Sequence, residues 1–394
     1  MSDVPRLLAA FEGGLLVRPD AEVANTVDLA RALGMLCGVE GLELGTNCRR
    51  IAEIIGEHDH VVFVMVDGLG MNLVEREAPD EFFRSHTVME LRSVFPSSTA
   101  PALTSLATGL WPAEHAVPGW YTYLPAYGLT ATILPFVERF SKKDARELGV
   151  DPGVAFPVAA MGSRIRRTQL RVMPKRIDGS VYSRYSSGDA PSFGYGSLRT
   201  GVDAVCAFVS EATGPTLTYL YAPFVDTAQH ERGVESKSTR RATKLVRSRI
   251  EMLAERLQGR ARIVLTADHG QIEVAPERQT QLREGDPLLA LLRVPPSCEP
   301  RAPAFHVRAG QHAAFEAMFR ERFGERFALL TIDEADALRL FGPGAMSAET
   351  RARLGDYVAI ALGADTVSLP HETPMMGFHG GLMADEVRVP LVLV

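Results

Sequence analysis

The stretch Val61-Val62-Phe63-Val64-Met65-Val66-Asp67-Gly68-Leu69-Gly70 decides the fold. Six apolar residues in a row, then an acid and two glycines, read as a buried strand spilling onto a loop. A carboxylate at the end of a buried strand is costly unless a cation or hydrogen-bond donors meet it. The next informative piece runs from Phe95-Pro96-Ser97-Ser98-Thr99-Ala100-Pro101-Ala102 to Gly109, a hydroxyl cluster entering a small-residue helical pattern. Together the two pieces set a hydroxyl at a helix N-terminus beside a strand-end acid, a setting for a metal-activated nucleophile.

Outward from this point, residues 215–221, 262–266 and 387–394 read as further strands. Helical periodicity covers 23–37, 48–57, 197–212 and the long amphipathic run 237–257. Strands spaced by helices predict an α/β fold with a doubly wound, mostly parallel sheet and helices on both faces. Beyond about 280 the texture changes: prolines cluster at 295–300, followed by a strand-like 304–308, a helix near 311–323 and a strand near 327–332. Residues 280–372 are therefore expected to form an inserted small α+β subdomain, with 1–279 and 373–394 as the catalytic core. The aromatic, proline-rich segment 111–136 carries Trp111, Trp120, Tyr121, Tyr123, Tyr127 and Phe136, and reads equally as a binding loop or as core.

The 394 residues are 46% apolar and 23% charged, the composition of a folded globular chain. A formal net charge of −6 gives no reason to expect a nucleic acid polymer as partner. The basic run 164–176, with Arg164, Arg166 and Arg167, reads as a solvated face or as a guide for an anionic substrate. Cys37, Cys48, Cys206 and Cys298 are scattered, which predicts reduced thiols. Asp3, Arg6 and Glu12 spoil the opening as a secretory signal, and no run approaches the ~20 apolar residues of a membrane helix. A cytoplasmic location without membrane partners is the expectation.

Acids and histidines recur just beyond the expected strands. Asp67 follows the first; Asp226 and His230 follow the second; Asp268 and His269 follow the third; His379 precedes the last. The carboxyl ends of parallel strands form one ligand-binding edge, so these side chains are expected to gather there. The spacing of Asp226 and His230 puts both on one face if that turn is helical. Three carboxylates and three imidazoles, with a hydroxyl added, suit two metal ions better than one. His58, His60, His86, His115, His306, His312 and His371 lack such context and read as structural.

The order Asp-Gly, Phe-Pro-x-x-Thr-x-Pro with a Thr-Gly pair beyond it, Asp-x-x-x-His, Asp-His-Gly and His-Gly resembles the alkaline phosphatase superfamily, and most closely its type I phosphodiesterase/nucleotide pyrophosphatase branch. These motifs span Asp67 to Gly380. The resemblance implies a zinc ion on Asp67, Thr99, Asp268 and His269, and a second on Asp226, His230 and His379, with Mn²⁺ as the alternative metal. It makes Thr99 the nucleophile, with Ser98 as second candidate. The activity implied is hydrolysis of a small-molecule phosphate ester, a phosphodiester or nucleotide pyrophosphate-type bond, through a phospho-threonine intermediate. One departure is that the asparagine expected three residues after the nucleophile is Ala102 here.

Rival readings are a phosphomonoesterase of the same chemistry, favoured if Arg164, Arg166 and Arg167 fold over the site, and an idle phosphate-ester binding protein. A sulfatase is disfavoured by the lack of Cys/Ser-x-Pro-x-Arg, and a serine hydrolase by the lack of Gly-x-Ser-x-Gly. Gly68-Leu69-Gly70 lacks the third glycine of a dinucleotide fingerprint.

Overall fold

The computed structural model describes residues 2–188, 190–370 and 374–394. Its main sheet has seven strands in the order Thr87–Arg92, Arg388–Leu393, Ala261–Thr266, His60–Val66, Thr216–Ala222, Thr168–Pro174 and Ser192–Tyr195. The last five run parallel to one another, and Arg388–Leu393 closes the sheet antiparallel to its two neighbours. His60–Val66 is the middle strand, buried along nearly its whole length, as its valine-rich run requires. Helices cover both faces. The longest, Lys237–Leu257, is capped by Ser236, whose hydroxyl accepts from the Thr239 amide, and it buries Val246, Ile250, Leu253 and Leu257. That helical spacing makes one apolar stripe, each side chain contributing about 1.5–3 kcal/mol on burial.

A second seven-stranded sheet lies beyond the core. Its order is Phe327–Thr331, Tyr357–Ala361, Ala302–Val307, Leu292–Glu299, Tyr121–Leu124, Leu129–Thr132 and Val137–Glu138, every neighbouring pair antiparallel. This sheet draws on more than 280–372, because two of its strands lie in the aromatic segment 111–136 and a third, Val137–Glu138, follows it directly. Two short strands thus cross the segment: Phe136 is buried in a small core with Val117 and Phe156, while Trp120 and Tyr121 line a cavity that also holds Thr99. The expected boundary at 372/373 and His371 lie outside the described residues.

The basic run is part surface and part sheet: Arg164, Arg166, Lys175 and Arg176 are exposed, and Arg176 lines a cavity that also holds Thr99. Thr168–Pro174 is a strand of the main sheet, and Arg171 within it is buried, donating to the carbonyls of Ser183 and Ala190. Arg164 and Arg166 bond Glu40, and Arg167 bonds the carbonyls of Leu36, His58 and Asp59. The four cysteines are free thiols. No helix among the described residues is long and apolar enough to cross a membrane.

Candidate active site

Because His60–Val66 lies between Thr216–Ala222 and Ala261–Thr266, all three parallel, their carboxyl ends open on one rim with Asp67 at its centre. Gly68 makes the tight exit possible. Its φ is +74°, and a Cβ there would stand 2.8 Å from the Asp226 Cα, so only glycine fits. Asp226 and His230 ride on the helix Phe224–Arg232, and their side chains meet at 3.2 Å. Asp268 and His269 follow the third strand. His379 arrives on a short ladder in which Gly377–Phe378 pairs with Ile272–Glu273, tying its loop to the Asp268–His269 turn. Thr99 is the first residue of the helix Thr99–Thr108, which ends at Gly109 in the left-handed conformation.

The seven side chains named from the sequence lie together. The Thr99 hydroxyl is 3.1 Å from His269 Nε2, and that nitrogen is 3.4 Å from Asp268 Oδ2 and 3.7 Å from Asp67 Oδ1. His379 Nε2 is 3.2 Å from His230 Nε2 and 3.9 Å from Asp226 Oδ1. The rings of His269 and His379 stack at 3.7 Å. Two triads bring ligand atoms within 4.8 Å of one another: Asp226, His230 and His379, and Asp67, Asp226 and His269. Asp226 belongs to both, so it joins the halves that the sequence reading kept separate.

A test of whether these residues fit metal ions comes from their hydrogen bonds. His230 Nδ1 faces the Gly377 carbonyl at 2.8 Å, His269 Nδ1 that of Gly270 at 3.0 Å, and His379 Nδ1 that of Ser97 at 3.2 Å. A carbonyl only accepts, so each Nδ1 carries the proton and each neutral Nε2 points a lone pair inward. Around His269 that lone pair meets carboxylate oxygens, and the buried Asp67 Oδ1 and Asp268 Oδ2 have no hydrogen-bond partner among the described residues. Acceptors facing acceptors in a buried space are stable when a cation sits between them. The donor set fits divalent metals, and its nitrogens and oxygens without thiolate suit zinc or manganese.

Neighbours reinforce this. Burial, then the charges of Asp226 and Asp268, push Asp67 well above the usual carboxylate range. Burial would raise Asp226 too, but His230 foremost among the imidazoles holds it below that range. His230 is lifted by Asp226 in spite of burial, while burial and then His269 and His230 push His379 well down.

The sequence reading missed three contributors. Tyr221 donates its hydroxyl to Asp67 Oδ2, and Gln271 donates to Asp226 Oδ1. Both stand in motifs already marked, at the end of the second strand and just after Asp-His-Gly. The third, Glu299, ends a strand of the second sheet, lines the same cavity and accepts the Trp120 amide at 2.6 Å. Burial pushes its carboxyl up to about 7, against the pull of the nearby Ser98 hydroxyl and Trp120 amide. Nothing in its local sequence marked it. Of the other hydroxyls, Ser97 donates to the Gly381 carbonyl and Ser98 is the helix N-cap residue. Ala102 packs with Val27, Val94 and Trp111, so that position faces apolar core.

A parallel sheet whose carboxyl rim gathers such ligands around a helix-end hydroxyl defines an enzyme of alkaline phosphatase-like fold. The family described as type I phosphodiesterase / nucleotide pyrophosphatase matches residues 61–292, more than half of the sequence, and the chain belongs to that family. It is thus a phosphoric ester hydrolase. Murine ectonucleotide pyrophosphatase / phosphodiesterase 5 superposes with a TM-score of 0.62 at 16% identity, over 84% of this chain and 87% of the murine one. The inactive threonine-to-alanine variant of that murine protein, in complex with AMP, matches with a TM-score of 0.62 at 15% identity, over the same shares of the two chains. Phosphonoacetate hydrolase from Sinorhizobium meliloti, in complex with phosphonoformate, superposes with a TM-score of 0.59 at 18% identity, over 84% of this chain and 89% of that one. At these identities the structural likeness is one of fold. No curated protein sequence matches the chain.

Proposed function

We propose that the enzyme cleaves a phosphodiester, or a nucleotide pyrophosphate-type bond, through a phospho-threonine intermediate on Thr99. Asp67, Thr99, Asp268 and His269 would hold one divalent cation and Asp226, His230 and His379 the other, zinc first and manganese as alternative. The single observation that carries this is the gathering of three Nε2 atoms and unpartnered carboxylate oxygens in one buried cluster, with the Thr99 hydroxyl 3.1 Å from one of them, His269 Nε2. When bound, the cations supply positive charge to the phosphoryl oxygens and lower the pKa of the attacking hydroxyl.

The protein's own groups do the rest. Thr99 Oγ1 sits at the N-terminal end of its helix, where the peptide dipoles favour a negative oxygen by up to ~1 kcal/mol. Its hydroxyl lies 3.1 Å from His269 Nε2, so the two would hold the same cation. Tyr221 and Gln271 fix the carboxylates of Asp67 and Asp226, so these acids would meet the cations already oriented. A diester is favoured over a monoester because Arg164, Arg166 and Arg167 are engaged away from Thr99, leaving the extra charge of a monoester without that clamp. The inactivity of the murine threonine-to-alanine variant supports the nucleophile by analogy.

Hydrolysis of bis-p-nitrophenyl phosphate and p-nitrophenyl phosphate by the zinc-loaded native and Thr99→Ala proteins tests the reading. The diester is the better substrate, and the variant loses at least ~10³-fold in kcat on it. Equal rates in the variant remove Thr99 from the chemistry.

A further inference from the structure

Glu299 is a buried acid that no cation answers. It ends the strand Leu292–Glu299 of the second sheet and is 4% exposed. Its Oε1 accepts the Trp120 amide at 2.6 Å, and Oε2 has no hydrogen bond among the described residues. No ion pair reaches it there either. The Arg139 guanidinium, whose charge it feels, donates to the Pro296 carbonyl and lies 3.7 Å over the Tyr121 ring. Two residues on, Arg301 is fully paired to Glu386, so the cation nearest in sequence is taken as well. Glu299 also belongs to neither of the triads whose ligand atoms could share a metal ion. A buried carboxylate left in this way is costly, and a neutral side chain of the same size would remove the cost.

The unanswered charge stands beside the reacting centre. Gly380, the residue after His379, has a φ of +101°, and a Cβ there would lie 2.9 Å from Glu299 Cβ, so the loop that carries the histidine lies flat against this side chain. The Ser98 hydroxyl, next to Thr99 in the chain, is buried without a partner and close enough to Glu299 to favour its charged form. His230 and Glu299 likewise favour each other's charged forms. The side chain lines one cavity with Thr99, His230 and His379. A phosphate ester that reaches Thr99 therefore enters the field of Glu299, in a buried setting that salt screens weakly. A diester brings one negative charge, and a monoester above its second pKa of about 6 brings nearly two. Resting on the phosphodiesterase reading above, we propose that Glu299 is a specificity-determining residue: its carboxylate opposes the second charge of a phosphate monoester and so sets the preference for monoanionic diesters.

The test is Glu299→Gln, which keeps an oxygen for the Trp120 amide and removes the charge. At about pH 9, above the value of about 7 to which burial raises Glu299, the native carboxyl is ionised. There kcat/KM is measured for the zinc-loaded native and variant proteins on bis-p-nitrophenyl phosphate and p-nitrophenyl phosphate. The diester-to-monoester ratio falls about tenfold in the variant, through a rise on the monoester. Glu299→Met, neutral but unable to accept the amide, moves the ratio in the same direction even where it lowers stability. Independently of turnover, calorimetry on the zinc-loaded proteins shows inorganic phosphate gaining about tenfold in affinity relative to dimethyl phosphate when Glu299 becomes Gln. A ratio that holds in both variants, a fall that comes from the diester alone, or a phosphate affinity indifferent to the substitution overturns the inference. The native preference for the diester then still supports the phosphodiesterase reading. A native enzyme that prefers the monoester overturns that reading and this inference together.

Discussion

Two clusters of buried charge are joined by residues 379–386, and they are built to opposite rules. Arg301 and Glu386 are fully buried and form a two-pronged pair at 2.5 and 2.8 Å. The remaining guanidinium nitrogen donates to the carbonyls of Gly363 and Asp365, and Glu386 also accepts the amides of Gly381 and Met383. Every charge there is answered by the protein. A few residues away, around Asp67, Asp226 and Asp268, oxygens lack donors and histidine lone pairs face one another. The first cluster locks the second sheet to the loop that carries His379. The second stores unfavourable electrostatics that a cation relieves. Buried charge therefore does not by itself mark a site; unanswered buried charge does.

The comparison is broken or sharpened by measurement. The largest effect is expected from Arg301→Met, which leaves Glu386 ionised and unpaired and costs about 3–5 kcal/mol in denaturant unfolding, with or without metal. A change within 1 kcal/mol of zero would mean that the closed pair is dispensable. Asp268→Asn should behave the other way. Asparagine keeps an acceptor for the amides of Gly68 and His269 but removes the charge at the unpartnered oxygen. Turnover falls at least ~10²-fold while the Tm of the metal-free protein holds or rises, because a like-charge repulsion is gone. Retention of the full rate would argue against a two-metal mechanism.

Tyr221→Phe takes away the hydroxyl that steadies Asp67, and metal affinity by competition with a chelator should drop about 10-fold. Unaltered affinity would make that hydrogen bond incidental to the site. The smallest effect concerns an imidazole of the answered kind. His115 accepts the Val117 amide at Nδ1 and meets Ser105 at Nε2, and burial pushes its pKa from its ordinary 6.5 to about 3. The unfolded chain takes up a proton there below about 6.5 and the folded one does not, so this contribution to stability is whole above that pH and is lost toward 3. His115→Gln should flatten the fall of stability across that window by up to about 1.4 kcal/mol per pH unit. An acid limb as steep as in the native protein would assign the proton uptake to other groups.

Much of the core sheet was legible because its signals are local. A run of six apolar residues makes a buried strand wherever it lies, and the acids that follow such runs inherit the rim of a parallel sheet. The strand Thr168–Pro174 was hidden for the opposite reason. Arg171 and its basic neighbours read as a solvated face, and only the distant carbonyls of Ser183 and Ala190 make that arginine tolerable inside. Likewise the pairing of Cys298 with Tyr121, which builds 121–138 into the second sheet, joins segments too far apart for any periodicity to reveal.

By itself, then, the order of residues determined a mostly parallel α/β core, a hydroxyl at a helix start, and six acids and imidazoles due at one edge. Tertiary structure alone decided that Asp226 bridges the two halves of the site, that Tyr221, Gln271 and Glu299 attend it, and that a cavity opens from Thr99 beneath its helix. The physical reason is range: burial and helix or strand period are written in neighbouring residues. Which donors answer a charge, and which face stays uncovered, depend on segments that meet only when the chain has folded.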